Sequence, residues 1–179
     1  MMPKVCSGRL LPCVAGALLS VYILLSGVAV SAQDKPMPPS VFNKETKAPA
    51  PDFELKDLDD ATVKLSQFKG QKPVLVYFWA TWCPYCVSMK PDIVELREKV
   101  SKDKLEILGV NVGGGDTLAR LKKYQEGRPV PWPILYDRDG KATKAYRVQG
   151  IPLFVLVDKE GNVVYRGNGL PEDISKHLQ

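Results

Sequence analysis

The sequence predicts one α/β domain: a mostly parallel sheet flanked by helices, with an antiparallel hairpin late in the chain. Three observations carry this. "PVLVYFWA" (73–80) and "KLEILGVNV" (104–112) are nearly continuous apolar runs, as expected of strands buried on both faces. Between them Met89, Ile93, Leu96 and Val100 recur at helical spacing. Strand, helix and strand in that order make a parallel crossover.

The elements follow from the N-terminus. Residues 1–32 read as an export address: Lys4 and Arg9 precede an uncharged apolar stretch (14–30), and "VSA" (30–32) offers small residues for cleavage before Gln33. The apolar stretch is longer than an average signal core and slightly short of the roughly 20 residues of a membrane span, so a cleaved signal peptide and a retained membrane anchor both stay open. Either places the following domain outside the cytoplasm, in a periplasmic or other extracytoplasmic space. Cys6 and Cys13 lie before or at the edge of the apolar core, the wrong side for a lipid-modified cysteine at the cleavage site. Residues 33–50, rich in Pro, Lys and polar side chains, read as a flexible linker, and residues 51–179 as the folded domain.

Within that domain "DFELKDL" and "TVKL" flank Asp59–Asp60 as a short hairpin. A helix from Pro84 to about Val100 contains Pro91, which removes one hydrogen bond and kinks it. After "GGG" (113–115), Asp116 caps a helix running to about Glu126. Residues 129–137 hold a loop and short strand, and 140–148 a short helix. "IPLFVLVD" (151–158), the turn "KEGN" and "VVYRG" (163–167) form the late hairpin. Pro171 opens a terminal helix with Ile174 and Leu178 on one face.

Charge excludes little but excludes something. The formal net charge of the chain is +5, which becomes +3 without Lys4 and Arg9. The Lys and Arg residues between Arg120 and Arg147 fit solvated helix faces, so no nucleic-acid partner is expected.

The chemistry concentrates in "FWATWCPYC" (78–86). A structural zinc site needs about four ligands, whereas this domain offers Cys83, Cys86 and the single histidine His177. No metal and no other cofactor is expected. A cysteine hydrolase would need a base, and His177 in a terminal helix is poorly placed for it. A static crosslink closing so short a loop gains little, because the entropic benefit grows with loop length. Placement at a strand-to-helix junction makes the pair reactive instead: unsatisfied N–H groups and the positive end of the helix dipole stabilise a thiolate, lowering cysteine pKa from about 8.5. Cys83 is then the exposed, acidic nucleophile and Cys86, one turn in, the shielded resolving thiol.

With these motifs the chain resembles thioredoxin-fold proteins of the TlpA/ResA-like group of exported thiol–disulfide oxidoreductases. The likeness rests on "FWATWCPYC", Pro91 and "VQGIPLFVLVDKEGNVVYRG" (148–167), and spans roughly residues 50–179. It implies a central mixed sheet with an N-terminal hairpin and a central helix–strand insert at 113–138. It also implies a cis Ile151–Pro152 bond facing the thiols, whose backbone pairs with an extended substrate segment. Trp82, Pro84, Tyr85, Ile151 and Pro152 are the implied substrate-facing residues, with Trp79 half packing and half site wall. The implied partners are exported proteins with disulfides, apocytochrome c among them, and a membrane-bound thiol reductase as electron donor; the membrane itself enters only through the N-terminal segment.

Two positions depart from the pattern. Thioredoxin buries an aspartate six residues before the first cysteine, where this chain has Tyr77. ResA-type relatives carry a glutamate three residues after the second, where it has Met89. With neither acid present the sequence names no general base for Cys86; water, the Tyr77 hydroxyl and the acids Glu54, Asp57 and Glu95 all stay open. The expected role is reduction of disulfides, with a dithiol oxidant or isomerase as the alternative. A peroxidase of the peroxiredoxin type requires Pro-x-x-x-Thr-x-x-Cys, and Thr81 lies two residues before Cys83 rather than three. A redox-silent module binding peptides through the Pro152 groove is a third class.

Overall fold

The protein is described by a computed structural model over residues 48–178. The expected leader (1–32) and most of the expected linker (33–47) lie outside the described residues. Eight strands form one sheet: β1 (Ala48–Pro49), β2 (Glu54–Asp57), β3 (Thr62–Lys64), β4 (Val74–Trp79), β5 (Glu106–Asn111), β6 (Ile134–Tyr136), β7 (Leu153–Val157) and β8 (Asn162–Gly167). Their order is β1-β8-β7-β4-β5-β6-β2-β3.

The sheet is mixed, as the resemblance implied; the apolar runs alone, which suggested a mostly parallel sheet, undercount the antiparallel pairs. Only β4·β5 and β5·β6 are parallel among the described strands. These are the pairs joined by helical crossovers; α1 (Pro84–Ser88) and α2 (Lys90–Lys99) link the first, α3 (Leu118–Gly127) the second. The early hairpin β2–β3 attaches to β6 antiparallel, and β7 runs antiparallel beside β4. At the other edge, Ala48 and Pro49 pair with Val163 and Asn162 of β8, so regular structure starts ahead of residue 51.

β4 occupies the centre because it is apolar on both faces. Its even residues Val74, Val76 and Phe78 meet Leu108, Val110, Val155, Phe53, Phe68 and Tyr146 on one side. Its odd residues Leu75, Tyr77 and Trp79 meet Ile107, Phe154, Ile93 of α2 and Leu121 of α3 on the other. Period-two alternation thus feeds two cores from one strand. The second core also contains both cysteines. α4 (Lys141–Ala145) packs through Ala142 on the first.

Three helical expectations change. The helix after the cysteines is broken at Met89, two residues before Pro91; proline has no N–H to give Val87, four residues back. The N-cap of α3 is Thr117, whose hydroxyl accepts the Arg120 N–H at 3.2 Å, and not Asp116, whose carboxylate turns inward. The terminal segment is no α-helix: Ile174–His177 make a single 3-10 turn. Asp173 accepts the Ser175 N–H at 3.1 Å, starting that turn two residues after Pro171. Ile174 and Leu178 nevertheless pack against the core containing the cysteines.

Gly109 in β5 lets two indoles lie on the strand. A Cβ there would stand 3.0 Å from Trp132 Nε1 and 3.3 Å from Trp79 Nε1. Gly109→Ala is expected to cost about 1–3 kcal/mol through overpacking, measured as a lowered midpoint in urea unfolding with an unchanged slope.

Candidate active site

β4 ends at Trp79, and four residues later Cys83 opens α1 as its N-cap, with extended backbone (φ −92°, ψ 105°). The Cys83 N–H donates to the Ala80 carbonyl at 3.3 Å, folding residues 80–83 into a tight turn. Pro84 takes the first helical position, where its missing N–H leaves nothing unsatisfied. The Cys86 N–H donates to the Cys83 sulfur at 3.1 Å. A sulfur therefore does what a serine or aspartate oxygen does at an ordinary helix start.

Cys83 and Cys86 are disulfide-bonded, with Cα atoms 5.3 Å apart. Cys86 is fully buried, and Cys83 is only 5% exposed, less than its expected place as an exposed nucleophile. The reason is the facing loop: the Ile151 carbonyl oxygen lies 3.8 Å from the Cys83 sulfur, a contact rather than a hydrogen bond, since a disulfide sulfur has no proton to give. The Ile151–Pro152 bond is cis. Asn168, beyond β8, donates to the Pro152 carbonyl at 2.7 Å and steadies the loop from behind. Nothing in the sequence singled out Asn168; its role depends on the β7–β8 pairing.

The expected substrate-facing residues divide clearly. Trp82 and Tyr85 are 51% and 77% exposed and flank the buried Cys83; Pro84 between them is exposed as well. On the opposite side Ile151 is half-buried, with its carbonyl toward the Cys83 sulfur, whereas Pro152, expected to face substrate, is buried. Trp79, expected to be half wall, is 1% exposed and belongs wholly to the core. It is an odd residue of β4, stacked with Tyr77 at 6.4 Å between centroids.

The three acids left open as bases for Cys86 are engaged elsewhere. Glu54 pairs with Lys64 at 2.7 Å, Asp57 accepts the Asp59 and Ala61 N–H groups of its own turn, and Glu95 pairs with Lys99 on the solvent side of α2. Tyr77 does approach, but as a donor: its hydroxyl gives a 2.6 Å hydrogen bond to the Cys86 carbonyl. Burial pushes its pKa well above the ordinary tyrosine value, so the hydroxyl stays protonated and is no base.

One turn after Cys86, Lys90 is 8% exposed. Its ammonium sits 4.0 Å from the Trp79 ring centroid and 4.2 Å from that of Tyr124, with no hydrogen-bond partner. The aromatic faces offer it cation–π attraction in place of water. Burial, and secondarily the Arg128 charge, lower its pKa to about 8.

A dithiol capping a helix at the end of a central strand, opposed by a cis-proline loop, defines a thioredoxin-fold thiol–disulfide oxidoreductase. Residues 46–166 match the AhpC/TSA family, and the chain belongs to that family. It is 38% identical over 132 residues to the thiol-disulfide oxidoreductase ResA of Geobacillus kaustophilus, covering 73% of this chain and 74% of that one. It is 32% identical over 115 residues to ResA of Bacillus subtilis, covering 64% and 63%. Among solved structures, the thioredoxin domain of a thiol-disulfide oxidoreductase from Bacteroides vulgatus superposes with a TM-score of 0.66 at 29% identity, covering 76% of this chain and 99% of that one. The exposed lipoprotein thioredoxin Etrx1 of Streptococcus pneumoniae gives 0.60 at 34% identity, covering 68% and 92%.

Two substitutions test these assignments. Tyr77→Phe orphans the Cys86 carbonyl and is expected to cost about 1–2 kcal/mol, while the pH profile of dithiol reactivity between pH 6 and 9 keeps its shape. For Lys90, the unfolded chain titrates near 10.5 and the fold near 8. Between those values the unfolded chain holds a proton that the fold has lost, so stability rises with pH across that window, and the full cost of the buried charge is present below about 8. Lys90→Met keeps the apolar stem and removes the charge. Urea unfolding at pH 7 is expected to show a gain of about 1–3 kcal/mol, shrinking as pH rises from 8 toward 10.5.

Proposed function

We propose that this protein is an exported reductant of protein disulfides, working through Cys83 as nucleophile and Cys86 as resolving thiol. The observation that carries the reading is the Cys83 sulfur at the N-cap of α1, receiving the Cys86 N–H at 3.1 Å. A thiolate in that position gains a charge-assisted hydrogen bond and the helix-terminal field.

In the reduced protein the Cys83 thiolate attacks one sulfur of a partner disulfide. The new Cys83–partner bond forms as the partner's own S–S bond breaks, and the departing partner thiolate takes up a proton. Cys86, losing its proton, then attacks the Cys83 sulfur, closing Cys83–Cys86 and releasing the second partner thiol. Two electrons pass to the partner; a membrane-bound thiol reductase restores them. Trp82, Pro84, Tyr85, Ile151 and Pro152 border the cleft in which an extended partner segment lies, its backbone running along the Ile151–Pro152 loop. Exported proteins with paired cysteines, apocytochrome c among them, are the substrate class.

Export is supported by residues 1–32, which combine Lys4 and Arg9 with the apolar stretch 14–30 and "VSA" at 30–32. One solved relative is an exposed lipoprotein. Among the described residues no helix is long and apolar enough to cross a membrane.

The direction of electron flow is the sensitive part. Stabilising the Cys83 thiolate favours the reduced form and raises the potential, and about 30 mV corresponds to about 1.4 kcal/mol for this couple. Equilibration of Cys83–Cys86 with glutathione over a range of poises is expected to give a potential well below that of periplasmic oxidants; a value close to theirs reverses the role to oxidant. Cys86→Ala is expected to accumulate mixed disulfides on Cys83 in an exported-protein extract, resolved on non-reducing gels, and Cys83→Ala to accumulate none. Equal, empty lanes for both variants sink the exchange scheme.

A further inference from the structure

The turn that opens the central insert, Gly113–Asp116, meets the two residues preceding Cys83, and thiol exchange as described above makes no use of it. The Asp116 side chain is fully buried. Its Oδ2 accepts the Thr81 N–H at 2.9 Å and the Asn111 amide at 2.7 Å, and its Oδ1 accepts the Thr81 hydroxyl. Arg120 Nε stands 3.7 Å away. The Asp116 backbone carbonyl accepts the Tyr136 hydroxyl at 2.9 Å, and the Asn111 side-chain oxygen accepts the Gly113 N–H at 3.0 Å. A carboxylate taken out of water is costly unless its lone pairs are filled. Here they are filled chiefly by the catalytic loop and the end of β5.

The outer side of the same turn grips Trp82. The indole Nε1 donates to the Gly114 carbonyl at 2.6 Å. Gly115 (φ +82°) allows that approach, since a Cβ there would lie 3.2 Å from Trp82 Nε1. Gly113 (φ +78°) seats the turn against β6, where a Cβ would stand 2.6 Å from the Asp137 carbonyl oxygen. A half-exposed tryptophan ordinarily samples several rotamers; this one is tied at its only polar atom.

We propose that the Gly113–Asp116 turn is the preformed wall of the partner groove, with Asp116 a positioning residue that holds Thr81 while the Gly114 carbonyl holds Trp82. The groove then selects disulfides in extended segments that carry an aromatic or large apolar residue beside the cysteine, because a fixed indole platform loses no side-chain entropy on contact. This rests on Cys83–Cys86 exchanging with partner disulfides.

The test compares two disulfide-bridged peptides, identical except for Phe or Ser beside one cysteine, reduced in turnover by the protein. Wild type is expected to favour the Phe peptide. Asp116→Ala is expected to raise KM for the Phe peptide about tenfold, with kcat changing by less than about twofold, and to erase the preference. Asp116→Asn keeps an oxygen for the Thr81 N–H and gives an N–H to its hydroxyl, and is expected to retain the preference. Trp82→Phe keeps an aromatic ring but loses the N–H tied to the Gly114 carbonyl, and leaves the Thr81–Asp116 hydrogen bonds in place; it is expected to behave like Asp116→Ala and carries the test if that variant does not fold. Equal losses on both peptides in all three variants, or no change in any, overturn the proposal. If wild type reduces neither peptide, the exchange reading falls first.

Discussion

The sulfur of Cys83 caps a helix, and that one contact requires most of the surrounding architecture. The cap forms only if β4 delivers residue 83 at a fixed height and α1 starts immediately. Both neighbours of β4 serve that placement. Phe78 is in register with Leu153 of antiparallel β7, so the chain entering β7, Ile151–Pro152, arrives beside residues 80–83. Trp79 is in register with Asn111 of parallel β5, so the chain leaving β5, Gly113–Asp116, arrives on the other side. An antiparallel and a parallel neighbour thus place an incoming and an outgoing loop at the same end of one strand. A sheet parallel throughout would put the cis-proline loop at the opposite end.

Much of this was legible in the residues. The unbroken apolar runs of β4, β5 and β7 mark strands covered on both faces, and Cys-Pro-Tyr-Cys after such a run marks a helix start under a dithiol. An interruption near Pro91 was legible too, though it splits the helix at Met89 instead of kinking it. What escaped depends on contacts between distant segments. Asp116 before a helix is a reasonable cap by local rules, but Thr117 caps equally well and frees the carboxylate for Thr81, thirty-five residues earlier. Trp79 and Trp82 look alike in "FWATWC", and strand phase separates them: Trp79 continues the buried odd face of β4, while Trp82 lies past its end. Pro171 suggests a helix, yet Asp173 holds Ser175 locally and delays the turn. Asn168 behind Pro152 has no sequence signal.

The interior beneath Cys86 is organised by neutral and cationic groups where relatives use a carboxylate. Tyr77 replaces the aspartate and points its proton at the Cys86 carbonyl, which the broken helix leaves open to a side-chain donor. Tyr77 stacks on Trp79, and Trp79 carries the Lys90 ammonium on its face. One hydrogen bond, one ring stack and one cation–π contact therefore link the Cys86 carbonyl through Tyr77 and Trp79 to the Lys90 ammonium. A carboxylate in this place can accept a proton from the resolving thiol; a tyrosine that donates to the Cys86 carbonyl and an ammonium held on aromatic faces cannot, so these groups order the site and leave proton acceptance to another group. In the proposed reductive cycle this division is sufficient. The departing thiolate of the partner is itself a base of ordinary thiol strength, released beside the cleft as Cys86 must lose its proton. The same chemistry that consumes a partner disulfide supplies the proton acceptor, and the protein's task reduces to keeping both sulfurs aligned.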